Sequence, residues 1–205
     1  TTIEYLEKYA ASDDDNPFFI QASFPDPHHP FVPPGKYWEM YDPADCPVPG
    51  AFGHEQNDPP PFQRELERQY KNREREIRVA AYVANEQEIR ESIALTYGMI
   101  SFVDDAIGRI LNKLRQLRLD DKTVVVFTSD HGDLMGDHGL MLKHCFHNDG
   151  LIRVPFLWSD PDRGHNGERT DLLGGTIDIA STILGRAGLA PYHGIQGFDV
   201  VDAVS

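Results

Sequence analysis

The sequence predicts an α/β layered fold with a mainly parallel sheet, and three observations carry that expectation. Two short runs, Phe18-Phe19-Ile20-Gln21-Ala22-Ser23-Phe24 and Thr123-Val124-Val125-Val126-Phe127-Thr128, are nearly continuous in apolar, β-branched or aromatic residues. They lack the alternation of a half-solvated strand and read as strands buried on both faces. Between them, Leu95, Met99, Phe102 or Val103, Ala106, Ile110, Leu114 and Leu117 recur at helical spacing. Strands that alternate with helices indicate helices packed over a parallel sheet. With 205 residues, the chain can bury a real core in one large domain.

The elements follow in order. Residues 2–11 form a short amphipathic helix with Ile3, Leu6 and Tyr9 or Ala10 on one side, and Ser12-Asp13-Asp14-Asp15-Asn16-Pro17 breaks it. The first strand, residues 18–24, empties into PDPHHPFVPPGKYWEMY, a loop stiffened by five prolines. Residues 42–62, rich in Pro, Gly and Asp and without periodicity, read as an irregular surface excursion that borders the substrate entrance. Residues 63–91 are densely charged and read as a helix with a solvated face. The long apolar-periodic helix ends near Arg118-Leu119-Asp120-Asp121, and residues 123–128 are the second strand. A third strand is expected over residues 154–158, then a polar turn over 159–168. A last helix spans residues 176–187 and ends at Gly188, where a left-handed cap is expected.

Composition excludes some functions. Nineteen Lys plus Arg against 33 acidic residues give a net charge of −14. A nucleic-acid backbone binder needs a basic face to displace counterions, so that partner is not expected. No apolar run reaches the length of a membrane span. The N-terminal TTIEYLEKYAASDDD shows no basic start, apolar stretch or cleavage site. Two cysteines, Cys46 and Cys145, make neither a disulfide scaffold nor a zinc motif.

Three places carry residues suited to chemistry. Asp130 and His131 stand where the second strand ends, and ligands of open α/β sheets collect outside such ends. Carboxylate and neutral imidazole suit a divalent cation, and Gly132 lets the backbone turn beside them; Asp130 as a turn cap and His131 as a surface residue is the other reading. His28 and His29 lie just beyond the first strand in a proline-fixed loop, either facing a substrate or facing solvent. Lys143 lies across a Gly-containing loop from Asp130, where it meets a substrate oxygen or is an ordinary surface lysine. A second Asp-His-Gly, Asp137-His138-Gly139, shares no flanking pattern with the first, and His138 is given no role.

In sequence, VVVFTSDHGDLMGDHGLMLK followed by RVPFLW resembles the sulfatases of the alkaline-phosphatase-like superfamily, close to bacterial sulfatases and phosphonate monoester hydrolases. PFFIQASFPDPHHPFVPPGKYWEMY resembles that family's Pro-His-x-Pro segment. YGMISFVDDAIGRILNKL and TIDIASTILGRAGL resemble the helices before its metal-binding strand and after its third strand. The resemblance runs in order over residues 16–197 and weakens between 45 and 89.

The resemblance implies an alkaline-phosphatase-like three-layer sandwich, incomplete in this segment. It implies Asp130 and His131 as metal ligands, Lys143 as a contact of the sulfate or phosphoryl oxygens, and His28, ahead of His29, as the substrate-contacting histidine. Arg153-Val154-Pro155 matches a structural Arg-x-Pro. The implied reaction is hydrolysis of a small anionic sulfate ester, or of a phosphonate monoester or phosphodiester. Ca²⁺ is the first-choice metal, with Mn²⁺ favoured if the phosphonate-hydrolase likeness is the closer one. The family's nucleophile is a Cys or Ser of a Cys/Ser-x-Pro-x-Arg motif, matured to formylglycine. It is expected upstream, since Cys46-Pro47-Val48-Pro49 has the wrong order and lacks the Arg, and Cys145 is followed by Phe146-His147. Residues 1–205 are thus expected to be part of a catalytic domain, without the nucleophile region or a smaller C-terminal subdomain. A non-catalytic fragment or degenerate paralogue is the alternative.

Overall fold

The structure, a computed structural model, describes residues 1–12, 16–54, 58–74, 81–143, 147–163 and 167–204. The chain forms two compact units, Thr1–Pro161 and Asp162–Ser205.

Helix α1, Thr2–Ala10, opens in a capping box. Glu4 N–H donates to the Thr1 hydroxyl at 3.3 Å, and the Thr1 amine donates to the Glu4 carboxylate at 2.9 Å. Leu6 of α1 is buried with Leu114 and Leu119, and Phe18 and Ile20 pack against the same group. Phe19 between them is 74% exposed. Residues 18–24 carry no strand ladder, which corrects the expected first strand. An apolar run becomes a strand only where a neighbour offers its backbone N–H and C=O groups. Among the described residues none does so here, and two alternate side chains pack inward instead. The expected helix breaker at residues 13–15 lies outside the described residues.

The charged helix expected over residues 63–91 resolves into separate elements. Helix α2, Pro61–Lys71, is followed by strand β1, Tyr82–Val83, and then helix α3, Glu86–Gln116; residues 75–80 lie outside the described residues. Asn85 starts α3. Its side chain accepts from Glu88 N–H while the Glu88 carboxylate accepts from Asn85 N–H, both at 2.9 Å. The 31-residue α3 buries Ile89, Ile93, Ala94 and Met99. Residues 42–62, expected at the surface, enter the core in part: Cys46 is buried with Ile89, Ile93 and Met141.

Strand β2, Val125–Thr128, strand β3, Leu140–Met141, helix α4, Asp149–Ile152, and strand β4, Phe156–Ser159, complete the first unit. β1 pairs with β3 and β2 with β4, both antiparallel. A mainly parallel sheet is therefore not what the described strands form. The opposed residues Phe127 and Leu157 are 39% and 62% exposed, so the burial on both faces read from the apolar run is not met at this ladder. A two-stranded ladder has two open edges and depends on other layers for cover.

Residues 33–41 are stitched along α3. The Lys36 ammonium and the Tyr37 hydroxyl both donate to Asp105 Oδ2, at 3.2 and 2.5 Å, and Tyr41 shares a hydrogen bond with Ser101 at 2.8 Å. The Tyr37 hydroxyl, then Lys36, hold the Asp105 carboxyl below the usual carboxylate range. Tyr37 also packs on Phe102. Positions 98, 101, 102 and 105 share one helix face, and at Gly98 the Tyr37 carbonyl approaches too closely for a side chain.

In the second unit, helix α5, Asp178–Arg186, falls within the expected span. Its buried Asp178 carboxylate accepts from Gly175 and Phe198 N–H at 2.7 and 3.0 Å. Gly188 has φ 69°, the left-handed cap expected there.

Gly98→Ala is expected to cost about 1–3 kcal/mol of stability, because the added methyl meets the Tyr37 carbonyl and Pro33. Gly108→Ala in the same helix, with open space at its Cβ, is expected to be neutral or stabilising by up to about 1 kcal/mol. Urea unfolding of both variants measures the difference, and equal midpoints would contradict the close approach.

Candidate active site

β2 delivers Ser129, Asp130 and His131 into a tight turn. The Ser129 hydroxyl donates to the His131 carbonyl at 2.9 Å, and His131 N–H donates to Asp130 Oδ1 at 3.0 Å. His131 Nδ1 lies 2.7 Å from the Gly132 carbonyl. A carbonyl only accepts, so Nδ1 carries the proton and the neutral ring keeps its Nε2 lone pair free. That Nε2 stands 3.5 Å from Asp130 Oδ2, a separation that lets both atoms bind adjacent positions on one cation at ordinary metal–ligand distances. Burial alone would raise the Asp130 carboxyl, but the His131 N–H and imidazole, with Ser129, hold it below the usual range. Ionised Asp130 and a free Nε2 fit a divalent cation. Among the described residues no group of three or more His, Cys, Asp or Glu converges as a complete metal site.

Gly132 has no room for a side chain: a Cβ there would collide with the Gly150 carbonyl, and Gly132 N–H donates to Leu151 at 2.8 Å. The chain then runs out and back as a hairpin-like loop. Leu134 N–H donates to Leu142 and Gly136 N–H to Leu140, both at 2.8 Å. Continued by one residue, this register sets Asp133 opposite Lys143. The second Asp-His-Gly is the tip of this loop, with Gly136, His138 and Gly139 at positive φ. It shapes the turn.

Asp133, which no sequence pattern singles out, lies on the same loop two residues after His131. Burial pushes its carboxyl up, opposed by the Met135 N–H at 3.2 Å and by the charges of Lys143, His29 and His131. Burial lowers His29, as do His28 and Lys143, while Asp133 raises it. His28 and His29 stack with ring centroids 4.0 Å apart, and His28 Nδ1 lies 2.6 Å from the His29 carbonyl. The loop register thus sets Lys143 opposite Asp133, Asp130 lies beside His131, and His28 stacks on His29. Beside Met135 opens a cavity of about 260 Å³ lined by Pro47, Val48, Pro49, Ile93, Thr96 and Tyr97.

Two expected bystanders behave as such. Burial pushes the Cys46 thiol up, and Cys46 Sγ donates to the Asp42 carbonyl at 3.4 Å. Arg153 closes α4, its N–H donating to Asp149 at 3.0 Å. Cys145 lies outside the described residues.

The sulfatase family's sequence model matches residues 1–189. The chain belongs to the sulfatase family. It is 30% identical over 208 residues to an arylsulfatase of Clostridium perfringens, covering 99% of this chain and 40% of that protein. It is 32% identical over 183 residues to the multifunctional alkaline phosphatase superfamily protein PehA of Trinickia caryophylli, covering 86% of this chain and 35% of PehA. A crystal structure of a phosphonate monoester hydrolase of Agrobacterium radiobacter matches with a TM-score of 0.76 at 29% identity, over 98% of this chain and 40% of that one. This sulfatase-family chain therefore spans at most 40% of the length of these relatives.

A family motif needs correcting at the level of letters. Ser159-Asp160-Pro161-Asp162-Arg163 has the Ser-x-Pro-x-Arg pattern expected only upstream. The ladder register places Ser159 opposite Val125, at the start of β2. Asp130 follows five residues along, roughly 16 Å away at the rise of a strand. Ser159 cannot reach a group held at Asp130. Ser159→Ala in the full-length protein is expected to leave ester hydrolysis at the parental rate, and its loss in a turnover assay would bring the nucleophile inside this chain.

Proposed function

We propose that the full-length protein is a metal-dependent sulfuric ester hydrolase. Residues 1–205 would supply part of an alkaline-phosphatase-like catalytic domain with a three-layer, mainly parallel sandwich. What supports this reading is the Asp130–His131 pair at the end of β2, with Lys143 brought back along the same loop by its backbone register. Its substrate is a small anionic sulfate ester, since the site gathers an ammonium group and imidazoles within a chain of net charge −14.

Asp130 Oδ2 and His131 Nε2 would hold the divalent cation. When bound, the cation supplies Lewis-acid polarisation of the substrate oxygens. A formylglycine outside these residues would be the nucleophile. Lys143 faces the non-bridging oxygens and offsets charge that grows on them. His28 serves the leaving oxygen. Because its Nδ1–H is engaged with the His29 carbonyl, Nε2 can deliver a proton only from the imidazolium form. The proton goes to the leaving oxygen as the sulfur–oxygen ester bond breaks, and His28 is left neutral.

The likeness to the phosphonate monoester hydrolase favours a second reading, hydrolysis of a phosphonate monoester or phosphodiester. The free imidazole Nε2 of His131 is a ligand that Mn²⁺ accepts more readily than Ca²⁺. Ca²⁺ accompanies the sulfatase reading and Mn²⁺ the phosphonate reading. The ratio of kcat/KM on an aryl sulfate and an aryl phosphonate monoester, with metal analysis of the same preparation, separates them; a marked phosphonate preference would reverse their order.

Asp130→Ala is expected to remove both bound metal and activity from the full-length protein. Lys143→Ala is expected to lower kcat about 100-fold with metal content unchanged. Metal loss in the Lys143 variant, read by elemental analysis, would refute the role given to that ammonium.

A further inference from the structure

The hydrolase reading gives the cavity beside Met135 no task. Most of its wall is apolar: Pro47, Val48 and Pro49, Ile93 of α3, and Met135 of the loop between Asp130 and Lys143. The rest of the wall carries two hydroxyl groups, those of Thr96 and Tyr97 on α3. Thr96 is only 7% exposed. One turn earlier, the Ser92 hydroxyl donates back to the Glu88 carbonyl at 2.7 Å, the ordinary way a helix satisfies such a group. Thr96 makes no such bond among the described residues; its hydroxyl is turned toward Met135 Sδ, 3.9 Å away, on the cavity wall. A thioether is a weak acceptor, so a buried donor at this cavity is poorly satisfied. The Tyr97 ring is fixed edge-on against Tyr41, with centroids 5.5 Å apart and planes at 70°.

We propose that this cavity binds one uncharged aromatic ring bearing a hydrogen-bond acceptor, with the Thr96 hydroxyl donating to that acceptor. Its volume of about 260 Å³ exceeds the roughly 150 Å³ that admits benzene, which leaves room for a small substituent. The sulfur of Met135 and the ring of Tyr97 both favour an aromatic neighbour, and a flexible methionine adapts to its outline. No charged side chain lines the cavity, and an ion there would lose its hydration without a partner. Water is a poorer occupant, because a buried water takes about three polar partners and the lining side chains offer two hydroxyls. Two sources share this chemistry, the organic group of an aryl ester substrate and a free aromatic compound. The cavity shares Met135 with the loop that carries Asp130 and Lys143. Phe31, two residues past His29, packs with Val48 and Met135 on the buried group that includes Ile93.

The test titrates the full-length protein with para-fluoroacetophenone and with para-fluoroethylbenzene, which has the same shape without the acceptor, and reads binding by fluorine NMR. The ketone is expected to bind, and the hydrocarbon about fivefold more weakly. Thr96→Val should weaken the ketone about fivefold and erase the preference, with an unfolding midpoint no lower than the parent's. Val48→Phe, which fills the cavity, should abolish binding of both probes. No binding of the ketone, equal affinity for the two probes in the parent, or a preference that survives Thr96→Val overturns the proposal. Binding retained in a folded Val48→Phe variant also overturns it; if that variant does not fold, the Thr96 comparison decides. Turnover then separates the two sources, and this arm alone rests on the hydrolase reading. If the ring is the substrate's own, the ketone competes with phenyl sulfate. Val48→Phe then lowers kcat/KM for phenyl sulfate at least about tenfold and spares methyl sulfate. If the ring is a separate ligand, the ketone does not compete and both esters keep parental kcat/KM. Probe binding in a protein with no ester hydrolase activity would uphold the cavity site and remove the hydrolase reading instead.

Discussion

Two backbone hydrogen bonds, Leu134 to Leu142 and Gly136 to Leu140, govern the rest of the site. They set Lys143 opposite Asp133, three residues past Asp130. Without that register the lysine would be one more cation on a loop, and Asp133 one more acid. The loop can close so tightly because its tip adopts left-handed backbone at Gly136 and Gly139, where a missing Cβ removes the steric cost. His138 shares that conformation without the glycine advantage. Its place in the second Asp-His-Gly is a matter of turn geometry.

The histidine side of the site is held from behind by a different device. α3 presents Gly98, Ser101, Phe102 and Asp105 to residues 33–41, and the contacts combine ring packing, hydroxyl hydrogen bonds and an exposed ion pair. The exposed pair contributes little by itself. The close backbone approach at Gly98 does more, because packed atoms resist displacement at short range. The same logic recurs at Gly132 and Gly150, where two chains meet without side chains between them. One bare contact steadies the segment that follows His28 and His29, and the other steadies Asp130 and His131.

Charge gives the arrangement its chemical direction. A chain with 33 acidic and 19 basic residues repels anions at long range. Within the loop, Lys143 stands opposite the half-buried Asp133 in register. Asp130, more exposed and hydrogen-bonded by backbone, is kept ionised. Two carboxylates three residues apart are thus pushed in opposite directions by the balance of burial and hydrogen bonding.

Much of this was legible in the chain itself, where the signal is local. Periodicity placed α1, α3 and α5, the Gly188 cap ended the last helix where expected, and the apolar run 123–128 located β2 with Asp130 and His131 at its tip. Helical periodicity and strand ends are properties of contiguous residues. What the sequence alone left undecided depends on which distant segment supplies a partner. Residues 18–24 have strand composition but no ladder, β2 pairs antiparallel with β4, and Ser159 has the letters of a nucleophile motif at the wrong end of that ladder. The pairing of Asp133 with Lys143 across the loop belongs to the same class, since backbone register sets it. Only tertiary structure decides such partners, because a backbone hydrogen bond or a buried charge is specified by what lies opposite it.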